Sequence, residues 1–146
     1  GNSIAAGATG LTLAKLLTAK ELLDAGDVDA SIQRYIACSP RQISNLLGDT
    51  TVTSSDYNTI KALAQGELNQ FVGFTFIVSN RLGLSGADRK VIAWAEDGLK
   101  LAIGKEPTAR IDERADKSYA TQVYYCMSVG ATRMEEAKVI QILCSE

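Results

Sequence analysis

Histidine is absent from this 146-residue chain, which removes the side chain that most often serves as a general base or a metal ligand. The three cysteines, Cys38, Cys126 and Cys144, form no C-x-x-C pair. A nucleophilic cysteine normally needs a histidine partner, and none exists here. We therefore interpret the cysteines as reduced, mostly buried thiols of a protein that folds in a cytosol.

Other features that would define a ligand site are also missing. Asp24, Asp27 and Asp29 lie close together, but the ligand spacing and the terminal glutamate of a calcium loop are absent. No glycine-rich phosphate loop follows a strand and carries the required lysine. The sequence predicts no catalytic residue, no metal, no cofactor and no small-molecule substrate.

The chain also lacks a long apolar run and an excess of basic residues. No apolar stretch approaches the ~20 residues of a membrane span, and the N-terminus lacks the basic start of a signal peptide. The 15 basic and 17 acidic residues give a formal charge of −2, so any contact with DNA is expected to be non-specific. With 46% hydrophobic residues, the chain can bury a core without disulfides or metals.

The first predicted elements are a helix and a strand. Residues 11–26 are rich in Leu, Ala, Lys and Glu and end at a glycine, which predicts a surface helix. Residues 32–38 contain β-favouring side chains and predict a strand. The apolar face of the helix is expected to consist of four leucines: Leu13, Leu16, Leu17 and Leu23.

Two further helices are predicted next. Residues 39–48 contain a helix start with Ser39 as N-cap, Pro40 at the first helical position and Gln42 completing a capping box. A second short helix is predicted for residues 55–65.

The second half of the chain is rich in strand signals. Residues 71–78 are apolar on both period-two faces, which predicts one strand covered on both sides. Residues 90–105 contain two apolar runs around Asp97-Gly98, which predicts a β-hairpin. Alternation over residues 118–131 and the apolar run 139–143 predict two more strands, separated by a charged break. The order of elements is that of an α+β fold.

The stretch RIDERADK places six charged side chains in eight positions. Each acid lies beside a base, which favours its ionised form and argues against a catalytic acid. A solvated loop is possible, but mixed charges suit a contact between subunits better, because they set register and partner choice. Together with a similar mixture further on, the predicted inter-subunit residues are Arg110, Asp112, Glu113, Arg114, Asp116, Lys117, Arg133, Glu135 and Glu136.

Three stretches in this order, FVGFTFIVSNRL, KVIAWAEDGLKLAIGK and ARIDERADKSYATQVYYCMSVGATRMEEAKVIQI, resemble the C-terminal part of major capsid proteins from tailed bacteriophages. The resemblance implies the phage major-capsid fold. A flexible lead-in over residues 1–10 would precede an axial domain over residues 11–105, with a mixed sheet flanked by helices. Residues 106–146 would form long antiparallel strands that return to a peripheral domain.

The resemblance also implies a function. Copies of the full-length protein would assemble in the cytoplasm of a bacterial host into pentamers and hexamers, which enclose DNA in the virion. The arm, extended loop and spine helix of the family do not precede residue 11, so we expect a C-terminal fragment or a truncated prophage copy. Two alternatives stay open, an encapsulin-like nanocompartment shell protein and a small α+β ligand-binding or enzyme domain.

Overall fold

The computed structural model describes residues 2–48 and 70–146, so the helix predicted for residues 55–65 lies outside the described residues. The chain divides into two compact units. The first, called the sheet unit, comprises Gly1–Leu99 and Arg133–Glu146, and the second, called the ribbon, comprises Lys100–Thr132. Within the described ranges, no helix is long and apolar enough to cross a bilayer.

In its described residues, the sheet unit contains a seven-stranded mixed sheet and two helices, which confirms the predicted α+β class. Its elements are β1 (Asn2–Ile4), α1 (Leu13–Ala25), β2 (Arg34–Cys38), α2 (Pro40–Leu47), β3 (Gln70–Phe71), β4 (Phe74–Val78), β5 (Leu84–Ser85), β6 (Asp88–Ala95) and, after the ribbon, β9 (Val139–Ser145). The strand order is β1-β9-β6-β2-β4-β3, with β5 paired to β6. The pairs β1–β9 and β2–β4 are parallel, and the other pairs are antiparallel.

The core forms because alternate residues of the central strands and one side of each helix are buried together. Opposite-facing residues are only partly buried, and among them Tyr35 and Trp94 stack with ring centroids 5.7 Å apart. The central members of the core are Leu16, Ala19, Leu23, Ile36, Cys38, Leu46, Phe74, Val91, Ala93, Ile140, Ile142 and Cys144.

The predicted burial of the cysteines is confirmed for two of the three thiols. Cys38 and Cys144 are buried in the sheet unit, and burial raises the pKa of Cys38 to about 12 and that of Cys144 to about 11. Cys126, in the ribbon, is partly exposed. All three are free thiols.

Helix α1 begins one residue after Thr12, whose hydroxyl accepts a hydrogen bond from the Lys15 backbone N–H. Leu16 and Leu23 are fully buried, as the pattern predicts. Leu17 was also assigned to the apolar face, but its side chain is 51% exposed. Ala19 is fully buried in the core instead.

Helix α2 follows Ser39 and has Pro40 at its start, as predicted, but the predicted capping box is wrong. The Ser39 hydroxyl makes no cap hydrogen bond and donates to Glu146 Oε1 at 2.8 Å. The Gln42 side chain is fully buried, and its Oε1 accepts from the Leu11 N–H at 2.8 Å while its Nε2 donates to Glu146 Oε1 at 3.3 Å. Both side chains therefore connect distant parts of the chain.

The Glu146 carboxylate accepts hydrogen bonds from both the Ser39 and the Gln42 side chains. Arg89 donates from Nε and Nη2 to Glu146 Oε2 at 3.0 and 2.7 Å. This pairing, with the hydrogen bonds from Ser39 and Gln42, lowers the pKa of Glu146 to about 2. The capping box is lost because Gln42 Oε1 accepts from the Leu11 N–H, and because the Ser39 hydroxyl is oriented by a strong hydrogen bond to the charged Glu146 carboxylate.

The strand predicted for residues 71–78 is two strands. β3 and β4 are antiparallel and meet at Val72 and Gly73, which both have positive φ, 54° and 82°. A two-residue hairpin turn of type I′ has this backbone conformation at both central residues, and glycine adopts it without strain. Ile77 and Val78, expected to be covered, are 42% and 53% exposed.

The hairpin predicted around Asp97-Gly98 is also wrong. β6 pairs with β2, β5 and β9, and the next strand of the chain lies in the ribbon. Glu96–Gly98 forms a 3-10 turn between them. Gly98 is buried, and a Cβ there would lie 2.9 Å from Lys138 Cβ and 3.0 Å from Lys138 O. The glycine is needed for close packing.

We expect Gly98→Ala to lower the free energy of unfolding by about 1–3 kcal/mol, because the added methyl overlaps a neighbouring backbone oxygen. Urea unfolding of the 146-residue chain measures this change in the free energy of unfolding. Gly83→Ala is the matched control, since the nearest atom to its added Cβ is the flexible Lys90 Cδ at 4.0 Å. The control should change stability by no more than about 0.5 kcal/mol. Equal effects of the two substitutions would contradict the packing argument.

The two ends of the chain differ from the sequence expectation. Within the predicted flexible lead-in, β1 pairs with β9 at the sheet edge. β9, predicted to return to a peripheral domain with the preceding strands, lies inside the sheet unit between β1 and β6. The predicted boundary at residue 105 and the names axial and peripheral refer to an assembled shell and stay predictions.

A buried lysine fixes the segment before α1. Lys15 Nζ donates to the carbonyl oxygens of Ala6, Thr9 and Gly10, each at 2.8 Å, and to that of Leu143 at 3.2 Å. The Lys15 side chain is 8% exposed, and burial lowers its pKa. One ammonium group therefore joins the first residues of the chain to β9.

Candidate subunit interface

The ribbon consists of two long strands joined by a short turn. β7 (Leu99–Arg114) pairs with β8 (Ala120–Arg133), and between them Ala115–Lys117 forms a 3-10 turn. So short a connection allows only antiparallel pairing. The long strand predicted for residues 118–131 is confirmed, and its partner is the strand before it.

The two faces of the ribbon differ in polarity. A Cβ at Gly104 would lie 3.5 Å from Ser128 Oγ, so the even-numbered residues of both strands share one face at this point. Tyr124 lies on that face too, and its hydrogen bond with Cys126 raises its pKa. The opposite face, called the apolar face, has side chains that are between 46% and 70% exposed: Leu101, Ile103, Ile111, Val123, Tyr125, Met127 and Val129.

Such an exposed face indicates a surface that becomes covered. A two-stranded hairpin by itself is at best marginally stable in water. Contiguous exposed apolar side chains on a soluble protein usually mark an interaction site. The apolar face therefore has the properties of an association surface. The alternation in residues 118–131 was visible in the sequence, but it did not reveal that this face is left open.

The RIDERADK residues lie at the far end of the ribbon, called the tip. Arg110, Asp112, Glu113 and Arg114 end β7, and Asp116 and Lys117 lie in the 3-10 turn, all of them exposed. Arg114 binds both carboxylate oxygens of Asp116, and its Nε donates to Asp116 Oδ1 at 2.9 Å.

This ion pair holds a turn in which Ser118 and Tyr119 have positive φ. The Tyr119 N–H closes the turn with a 3.0 Å hydrogen bond to Arg114 O. In the described part of the chain, no ion pair joins the other charged tip residues to a neighbour. Their side chains are available to another molecule.

The second predicted charged group lies in the sheet unit. Arg133 ends β8, and Glu135 and Glu136 follow it in the charged break before β9, all three exposed. Lys138 Nζ donates to Glu135 Oε2 at 2.8 Å and to Asp97 Oδ2 at 2.6 Å, which raises its pKa to about 12. Glu135 therefore belongs to a local ion-pair network with Lys138 and Asp97.

Among the described residues, neither charged group has the arrangement of a metal centre. In residues 2–48 and 70–146, no three acidic or cysteine side chains come close enough together to hold a metal ion. The mixed charges of the tip and the apolar face are suited to contact with protein surfaces.

Comparison with solved structures shows the fold. A structure from Mycobacterium phage Che8 superposes with a TM-score of 0.74 at 14% identity, covering 97% of this chain and 53% of that one. The capsid structure of cyanophage P-SCSP1u gives 0.70 at 18% identity, covering 99% and 54%. The SrpI encapsulin of Synechococcus elongatus gives 0.62 at 12% identity, covering 99% and 54%. The chain thus spans about half the length of these proteins.

The sequence itself was compared in two further ways. No match was found among curated proteins. A family model described as phage capsid protein matches residues 1–146. Since this match covers the whole chain and the fold is that of phage capsid structures, the chain belongs to the phage capsid protein family.

Proposed function

We propose that this chain is part of a major capsid subunit of a tailed phage or prophage, which assembles with copies of itself into an icosahedral shell around DNA. Its role is structural and lies in the virion. The observation that carries the proposal is the ribbon, because a two-stranded sheet with an open apolar face and a charged tip needs other protein surfaces to cover it.

The tip would supply selectivity to this association. Charges of both signs at a contact favour one register and one partner, because a misplaced neighbour brings like charges together. In pentamers and hexamers of the full-length protein, Arg110, Asp112, Glu113 and Lys117 would face neighbouring subunits. DNA would be contacted only without sequence specificity, since the chain has a formal charge of −2.

The test exchanges the charges of the tip while keeping its internal ion pair. The double variant Arg110→Glu with Asp112→Arg leaves the Arg114–Asp116 ion pair in place but reverses two of the charges offered to a neighbour. In the full-length protein we expect the yield of shells in electron micrographs to fall about tenfold or more, because like charges at a contact cost several kcal/mol.

Two further measurements accompany this test. Circular dichroism of the unassembled subunit should be unchanged, since the exchange keeps the local pairing. Lys100→Glu, a reversal at an exposed even-numbered residue of β7 away from the tip and the apolar face, serves as the control and should leave the shell yield near wild type. Normal shells from the tip variant would refute the proposed contact.

A second candidate is a shell of the encapsulin type, which the fold match to SrpI supports. The two candidates differ in what the shell encloses. Shells purified from the native host would contain DNA in the first case and a protein cargo in the second. Nuclease-protected DNA and mass spectrometry of the contents distinguish them.

A further inference from the structure

The sheet unit has a polar cavity of about 450 Å³ apart from the ribbon and its tip. It lies between α1, the loop before β2 and the turn between β3 and β4. A volume of this size accommodates a small ligand or a side chain of another protein. Its polar lining consists of Lys20, Asp24, Ser31, Gln33, Arg34 and Gln70.

Arg34 is the distinctive residue of this cavity. Its side chain is only 6% exposed, and its Nη2 donates to Asp24 Oδ1 at 2.6 Å and to Val28 O at 3.3 Å. Its Nε is buried and has no hydrogen-bond partner among the described residues. The guanidinium is thus only partly satisfied by Asp24 and Val28 O, so a further acceptor beside Arg34 would be favourable.

The charges of the lining favour an anion. Asp24 offsets one positive charge through its pair with Arg34. Lys20 lies one turn earlier on α1, is exposed, and forms no ion pair in the part of the chain that the structure describes. The ionised side chains of the lining therefore sum to one positive charge.

Further donors surround these charges. Gln33 Nε2 and Gln70 Nε2 both donate to Thr75 Oγ1, at 3.0 and 3.4 Å, and each amide nitrogen keeps a second hydrogen for another acceptor. Guanidinium, ammonium and amide donors around one small volume match the acceptor oxygens of a carboxylate or a phosphate.

We propose that this cavity is an oxyanion-binding site, in which Lys20 and the Arg34 guanidinium hold a carboxylate or phosphate group. The oxyanion comes either from solution or from an acidic side chain of a neighbouring copy, and both present the same chemistry. The second source depends on the proposed shell function, whereas the first does not. Binding to the isolated chain therefore tests the site independently of assembly.

The experiment follows the Arg34 Nε–H resonance of the 146-residue chain by NMR during titration with inorganic phosphate and, separately, acetate. Sodium chloride at matched ionic strength is the reference. We expect a saturable shift at Arg34 with a dissociation constant on the order of 1 mM, as suits a small ligand with few contacts. Absence of a saturable shift with both anions would overturn the proposal.

Variants separate the site from general charge effects. Lys20→Gln should weaken phosphate binding about tenfold, since it removes one charged hydrogen bond. Lys105→Gln, an exposed position in the ribbon, should leave it unchanged. Phosphate binding to Lys20→Gln with wild-type affinity would also overturn the proposal. An Arg34 substitution is avoided, because the loss of its buried contacts could unfold the chain.

Measurements on shells of the full-length protein identify the source of the oxyanion. If Lys20→Gln both weakens phosphate binding to the isolated chain and lowers the thermal stability of shells, a neighbouring copy supplies the carboxylate. If only phosphate binding is weakened, the site takes a free anion. Both results support the site, and failure of shells to form at all would count against the proposed function alone.

Discussion

Replacing Tyr125 and Met127 by lysine in the full-length protein is expected to abolish shell formation. Both side chains lie on the apolar face of the ribbon and are 63% and 54% exposed in the isolated chain. Covering a large apolar side chain contributes about 1.5–3 kcal/mol, and two buried lysines without partners add a further desolvation cost. The loss per contact is repeated at every equivalent position of a shell, so the expected fall in shell yield is at least about a hundredfold.

The matched control is Tyr124→Lys. Tyr124 is adjacent on β8, is 49% exposed and lies on the polar face. A tyrosine of the same strand is thus replaced by lysine on the opposite face, with one added charge in place of two, and assembly should be largely retained. Electron microscopy and light scattering give the shell yield, and circular dichroism of the dissociated subunit reports its fold. Wild-type shell yields from the double variant, or an equal loss from the control, would show that the apolar face is not the association surface.

Substitution of Lys15 by methionine is expected to produce the largest loss of stability in the sheet unit. The ammonium group is bonded to four carbonyl oxygens, and three of them belong to the segment before α1. Methionine fills similar space but donates nothing, so each carbonyl oxygen loses a charged donor, although Ala6 O and Thr9 O keep hydrogen bonds from the Thr9 and Ser145 N–H groups. A hydrogen bond to a charged group contributes about 1.5–3 kcal/mol, and we expect a total loss of about 3 kcal/mol or more.

Urea unfolding of the 146-residue chain measures this loss. Hydrogen exchange should show faster exchange in β1, because the lysine joins the segment that carries it to β9. Lys20→Met, on the exposed side of the same helix, is the control and should change stability by no more than about 0.5 kcal/mol. A Lys15 variant as stable as this control would mean that the carbonyl groups find other partners.

Local signals in the sequence located the helices well. The Leu-rich run that ends at Gly26 and the Ser39-Pro40 start predicted α1 and α2, whose observed bounds differ by two residues at most. These signals work because they describe neighbours along the chain. The prediction of a capping box was wrong because it considers only neighbouring residues. The Ser39 and Gln42 side chains instead bind Glu146, which is more than a hundred residues away in the chain.

Strand pairing was predicted less well. Residues 90–105 have apolar runs around an Asp-Gly dipeptide, and the pattern alone favours a hairpin. β6 instead pairs with β2 and β9, which bury its alternate residues, and β7 pairs with β8. The choice among strand partners depends on which pairing buries most apolar surface in the whole fold, and no short window of sequence contains that information.

The candidate interface also combines features that local sequence predicts with features that depend on contacts between distant segments. The mixed charges of RIDERADK were evident in the sequence, and the structure places them at an exposed tip. The apolar face and the cavity at Arg34 were not predicted, because each combines residues from separate segments.

The sequence by itself determined the α+β class, the positions of α1, α2 and the long C-terminal strands, and the absence of histidine chemistry, since composition and local periodicity decide these. Only the tertiary structure decided which strands pair, where β9 lies and which apolar residues stay exposed. These depend on contacts between residues far apart in the chain, whose energies are realised only when the whole sheet has formed.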